Sequence, residues 1–174
     1  MKKRILIIIT IFSFYSINSQ IIYNWQNSTE GWVSGGNCNL TAQPDAMAMR
    51  LFASNAVMRS GNLQANLGIN GGDYNQVQVM IKNPTSGSAV ARLFLYPPGT
   101  NTAACYYTFQ VATAMTGFST YTISLDSLPS GGSSTVYTGP IARFGLRAPW
   151  GGVNFDTIFW KQMIISNTNQ VIDS

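Results

Sequence analysis

The residues able to do acid–base, nucleophilic or metal chemistry are few enough to take one at a time. The 174-residue chain contains no His, the commonest general base and metal ligand near neutral pH. Ser-His-Asp and Cys-His machinery is thereby excluded. The two cysteines, Cys38 and Cys105, stand 67 positions apart and outside any CxxC pair, so a zinc or redox centre lacks a ligand set. They are either one disulfide, which an oxidising compartment permits, or two small apolar core residues. Glycoside hydrolysis needs two carboxylates facing each other across a cleft. Beyond residue 19 the acids are Glu30, Asp45, Asp73, Asp126, Asp156 and Asp173, most of them where turns or strand ends favour Asp. Gly35-Gly36 and Gly71-Gly72 read as turn signals, not as a phosphate cradle. The chemistry that remains is that of a binding surface.

Charge points the same way once the first residues are set aside. Lys2, Lys3 and Arg4 precede an apolar run from Ile5 to Ile17, and Asn18-Ser19-Gln20 then turns small and polar. This is the layout of a secretory signal peptide, and the run is short of the roughly 20 residues that span a bilayer. The expectation is a leader over 1–19, cleaved after Ser19, with an uncleaved anchor as the alternative. The protein is then exported, to the medium or the cell surface, with no membrane insertion after cleavage. No Cys sits near the end of the apolar run, which speaks against a lipid anchor. The remainder carries seven basic and six acidic residues, a net charge of about +1, with no basic run or stripe. Nucleic acid is not an expected partner, because it calls for a positive footprint.

The elements that must position any site are strands. Hydrophobic residues make up 45% of the chain and charged ones 9%, the balance of a folded domain. No helical period is sustained. Short runs rich in Val, Ile, Phe, Tyr and Thr recur between Gly, Asn, Pro and Ser clusters. They are 21–26, 47–53, a weaker 57–59, 74–82, 89–96, 105–112, 120–125, 141–148 and 153–165. Val77, Val79 and Ile81 alternate with Gln76, Gln78 and Met80, as in a half-buried strand. Nine or ten such strands predict an all-β antiparallel sandwich or barrel. We read one domain over 20–167 and a tail over 168–174.

The order of segments is also familiar. The domain opens with Trp25 and Thr29-Glu30-Gly31-Trp32. Its middle runs through Val77-Gln78-Val79-Met80-Ile81-Lys82-Asn83-Pro84 to Ala91-Arg92-Leu93-Phe94-Leu95. It closes with Ala142-Arg143-Phe144-Gly145-Leu146-Arg147 and Asn154-Phe155-Asp156. This resembles the galactose-binding-like jelly-roll carbohydrate-binding modules of bacterial secreted polysaccharide-active proteins. The resemblance implies a jelly-roll β-sandwich of two packed antiparallel sheets that binds polysaccharide or glycan without catalysis. It also implies a structural calcium, with Glu30 and Asp156 as the matching acids; hard oxygen donors suit that ion. The family's modules are usually joined to a catalytic domain. This chain is therefore a piece of a longer protein with a catalytic or sorting domain, or a module that works alone.

Sugar recognition uses aromatic faces and planar polar groups. Trp150 falls in the loop Ala148-Pro149-Trp150-Gly151-Gly152, and Tyr106 alternates away from Tyr107 and Phe109. Arg92 shares a strand face with Phe94 and Tyr96, and Arg143 and Arg147 alternate with Phe144 and Leu146. Trp150, Tyr106, Arg92 and Arg143 are the candidate ligand contacts, whereas Trp25, Trp32 and Trp160 are read as core. The alternative function is an adhesion or surface-structural domain contacting protein or matrix. An enzyme on this fold would need two of Glu30, Asp45, Asp73, Asp126 and Asp156 in one cleft.

Overall fold

The computed structural model describes residues 20–151 and 153–168. The expected leader over 1–19 and the tail from residue 169 lie outside the described residues. Thirteen strands are present, more than the nine or ten read from sequence. In chain order they are β1 (Ile21–Asn24), β2 (Val33–Gly36), β3 (Cys38–Ala42), β4 (Met47–Leu51), β5 (Val57–Arg59), β6 (Ile69–Asn70) and β7 (Gln76–Lys82). They continue as β8 (Val90–Tyr96), β9 (Cys105–Gln110), β10 (Ser119–Ser124), β11 (Pro140–Ile141), β12 (Arg143–Arg147) and β13 (Thr157–Ser166).

They form the expected all-β sandwich. One sheet runs β10-β7-β13-β4-β3, with β1 also paired to β13. The other runs β2-β5-β12-β8-β9, and β6 and β11 form a two-stranded ribbon. The ladders are antiparallel. The long strand β13 organises the first sheet. Its first half pairs with β4 and its second half with β1 along one edge. A register shift between Trp160 and Gln162 explains how it keeps its face. Ile158 and Trp160 point inward before the shift, and Met163 and Ile165 after it. One extra residue resets the two-residue period, which otherwise would turn Met163 to solvent.

The core lies between the sheets. Val77, Val79 and Ile81 of β7 and Ala91, Leu93 and Leu95 of β8 are fully buried, with Met47, Met49, Trp160, Phe144 and Leu146 among them. Each such large side chain contributes roughly 1.5–3 kcal/mol through apolar burial. Tyr23, Trp25 and Trp32 form an aromatic cluster, with Trp32 edge-on to the other two at 5.3 and 5.0 Å. The reading of Trp25, Trp32 and Trp160 as core holds. Cys38 and Cys105 are both buried and free, one in each sheet. Of the two readings open in the sequence, the structure shows separate core thiols.

The differences from the sequence reading have local causes. Gly35-Gly36 is a crossover between sheets: β2 belongs to one and β3 to the other. Gly36 at φ +137° and Asn37 at φ +56° make the bend, and Ser34 Oγ donates to the Cys38 carbonyl across it at 2.7 Å. The last strand begins at Thr157, not at 153, because Phe155 sits at φ +74° in a turn.

Candidate functional site

The outer face of the five-stranded sheet gathers most of the charge that the sequence spreads out. With Ala91, Leu93 and Leu95 of β8 turned inward, the two-residue period turns Arg92, Phe94 and Tyr96 outward. On β12 it turns Arg143, Gly145 and Arg147 outward. Register sets these side by side: Arg147 opposite Arg92, Gly145 opposite Phe94, Arg143 opposite Tyr96. On the next strands Tyr106 stands opposite Phe94, and Arg59 opposite Gly145.

The arginines lie over the aromatic rings. Arg92 Cζ is 4.6 Å from the Tyr106 ring centre, and Arg59 and Arg143 are 5.1 and 5.3 Å from that of Tyr96. Phe94 sits between Tyr96 and Tyr106, with ring centres 6.1 and 5.7 Å away. Gly145 makes room for this. A Cβ there would fall 2.6 Å from Tyr96 Cε2, so Tyr96 lies flat across the strand. Tyr106 likewise rests on Gly131, whose Cβ would meet its hydroxyl at 2.5 Å.

Arg143 differs from the other three. It is only 1% exposed, and its Nη1 donates to Asn101 Oδ1 at 3.2 Å and its Nη2 to the Thr100 carbonyl. It anchors the loop after β8 and supports Tyr96. Burial first, and the Arg59 guanidinium second, pull Arg143 below the usual arginine range, with Tyr96 opposing. Arg147 is lowered by burial and then by Arg92, against Tyr106. The Nε atoms of Arg59, Arg92, Arg143 and Arg147 are all shielded from water without a hydrogen-bond partner.

The acids are elsewhere. None lies in β2, β5, β8, β9 or β12. Glu30 is in the turn before β2 at φ +51°, Asp45 between β3 and β4, Asp73 in a 3-10 turn, Asp126 after β10 and Asp156 before β13. Four of the seven basic residues beyond the expected leader therefore share one face whose strands supply no carboxylate. The expectation of no basic stripe is corrected here. The stripe is assembled by register across β5, β12 and β8, and a linear reading cannot see it.

The other predicted residues fall as follows. Tyr106 and Arg92 are half-buried members of the platform. Trp150 follows β12 in the loop, half-buried and packed against the core, so much of its ring is committed to the interior. Glu30 stands in the turn before β2 and Asp156 just before β13. Glu30 is close enough to Tyr23 to contribute to raising its phenol, after burial, and Tyr23 pairs with Met163. No group of three or more metal-ligating side chains occurs among the described residues. Arg59, Phe94, Tyr96, Gly145 and Arg147 belong to the site in addition to the candidates. The alternation of β8 and β12 already marked all but Arg59 and Gly145. A shallow cleft of about 480 Å³ bounded by Thr29, Trp32, Ser34, Asn39 and Thr41 is lined without titratable groups.

No family model and no curated protein matches the chain. Solved structures do. A low-affinity xylan-binding module, CBM86, from Roseburia intestinalis aligns with a TM-score of 0.53 at 14% identity, over 84% of this chain and 94% of its own. A family 29 carbohydrate-binding module from Piromyces equi gives 0.52 at 9% identity, over 88% and 96%. The agarase AgWH50C gives 0.57 at 8% identity, over 84% of this chain but 24% of its own. The chain thus has the jelly-roll β-sandwich fold found in carbohydrate-binding modules. Among the described residues no helix is long and apolar enough to cross a membrane.

Proposed function

We propose that this chain is a secreted, non-catalytic module that binds polysaccharide on the outer face of its five-stranded sheet. The observation that carries this reading is the platform of Arg59, Arg92 and Arg147 around Phe94, Tyr96 and Tyr106. Phe94 and Tyr106 are half-buried there and Tyr96 is buried beneath Arg59 and Arg143; register sets the face and the loops at Thr100 and Gly131 support it. The shared fold with carbohydrate-binding modules supports the reading, though fold alone does not assign function. The dispersal of the carboxylates supports a binding role without catalysis. Arg92 is a direct contact in this reading, carried on the Tyr106 ring, and Arg143 positions Tyr96 and the adjoining loop. A structural calcium held by Glu30, Asp156 and backbone carbonyls would add to it as a stabilising ion away from the arginines.

The test is retention of the purified protein on a panel of soluble and insoluble polysaccharides. Retention on at least one polymer is expected, weakened about tenfold or more by Tyr106→Ala, as for an aromatic at the centre of an interface. A folded protein retained by none of them, or retained equally well without Tyr106, would overturn the reading.

A further inference from the structure

Resting on that reading, we infer that the polymer is acidic: a polysaccharide carrying oxyanions, carboxylate or sulfate, along its length. Two observations carry this beyond sugar binding in general. The first is the placement of like charges. Arg92 and Arg147 are directly opposite one another in an antiparallel pair, an arrangement that is destabilising when no counter-ion intervenes. Arg59 stands one strand over from Gly145, two residues along β12 from Arg147. Three guanidiniums thus rise from a patch roughly 12 Å across by strand spacing and rise, and no strand of that sheet supplies an acid. A surface that served only solubility would spread such charges or pair them.

The second is what each ring presents outward. A neutral sugar is gripped by open aromatic faces. Here Tyr106 carries Arg92, and Tyr96 carries Arg59 and Arg143. The groups left to meet a ligand are guanidinium forks, whose planar donors match carboxylate and sulfate oxygens in pairs. Their Nε–H groups are shielded from solvent, so an oxyanion would meet the terminal ends of the half-buried Arg59, Arg92 and Arg147. Covered rings also argue against single-stranded nucleic acid, which needs open faces for base stacking.

Binding is measured against polygalacturonate and alginate as carboxylated polymers, carrageenan as a sulfated one, xylan and hydroxyethylcellulose as neutral ones, and single-stranded DNA at equal charge. The expected result is binding to a carboxylated or sulfated polysaccharide, with the two arms showing which. That binding weakens as salt is raised, and falls about tenfold or more in the Arg92→Gln, Arg147→Gln double variant. Arg92→Lys, which keeps the charge but loses the fork, falls between. Binding to neutral polymers alone, insensitive to salt and to these variants, would overturn the acidic ligand and leave the polysaccharide reading standing. Equal binding to DNA would overturn it as unspecific attraction between charges. A folded protein that binds no polymer would overturn both.

Discussion

The two sheets share a core but expose different chemistry. The six-stranded sheet carries Lys82 and Lys161 over Phe118 and Phe159, and elsewhere turns out Gln76, Gln78, Thr120, Thr122 and Ser124 at neighbouring register positions. The five-stranded sheet also lays cations over rings, but it sets two of its arginines, Arg92 and Arg147, directly opposite one another. Both faces obey the same two-residue alternation, so the fold does not require the difference. A sandwich needs only one apolar side per sheet. The second face sets Arg92 opposite Arg147, a like-charge placement that costs stability where no counter-ion intervenes.

The largest expected effect comes from filling the space that Gly145 leaves. Gly145→Val should lower stability by about 1–3 kcal/mol, the usual range for overpacking, because its Cβ meets Tyr96 at 2.6 Å. The matching change on the other face, Gln78→Val, should stay within about 0.5 kcal/mol in a denaturant titration. Equal effects would erase the contrast between the faces.

Alkaline pH should act next, through the strand beneath the platform. Burial pushes Cys105 from its ordinary 9.0 up to about 11, and Tyr107 from 10.0 up to about 12, again chiefly by burial. The folded state keeps both protonated where the unfolded state ionises. Their contribution is intact below about pH 9 and is lost between pH 9 and 12. The slope is of the order of 1.4 kcal/mol per pH unit for each group while it titrates. Cys105→Val should flatten the first part, between pH 9 and 11, in urea melts at stepped pH. An unchanged slope would show that the thiol is not buried as described.

Arg147→Gln should separate stability from function. It removes the like-charge partner of Arg92 without removing the Arg92–Tyr106 contact. Thermal stability should be unchanged or higher, by up to about 1 kcal/mol, while polysaccharide retention weakens. A destabilised variant would make the arginine pair structural. Chelation separates the two readings of Glu30 and Asp156: a fall of several degrees in melting temperature with EDTA is expected if they hold a structural calcium, and an unmoved value would rule that ion out.

Much of this was readable in the sequence, and the misses follow a pattern. Period-two alternation within one long strand survives any context. It placed Val77, Val79 and Ile81 in the core and put Arg92 on the same side as Phe94 and Tyr96. What depends on pairing between distant segments does not show. Arg59 lies in a three-residue strand, and only register with β12 brings it beside Tyr96. The basic footprint is invisible for the same reason, since its members come from positions 59, 92, 143 and 147. Strands β2 and β3 read as a turn because Gly35 and Gly36 stand at their junction. Arg143 looked like an open contact, but the loop at Thr100 and Asn101 folds back to cover it. Alternation gives the side of the sheet, not what later lies on top of it.

The most direct test sets variants of the two faces against each other in one binding measurement. Arg92→Gln with Arg147→Gln alters the five-stranded face, and Gln78→Ala with Thr122→Ala alters the six-stranded one. Affinity electrophoresis in gels containing the retained polysaccharide should show the first pair running free and the second pair held like the parent protein. Loss of retardation by the second pair, or full retardation of the first, would contradict the assignment of binding to the arginine–aromatic face.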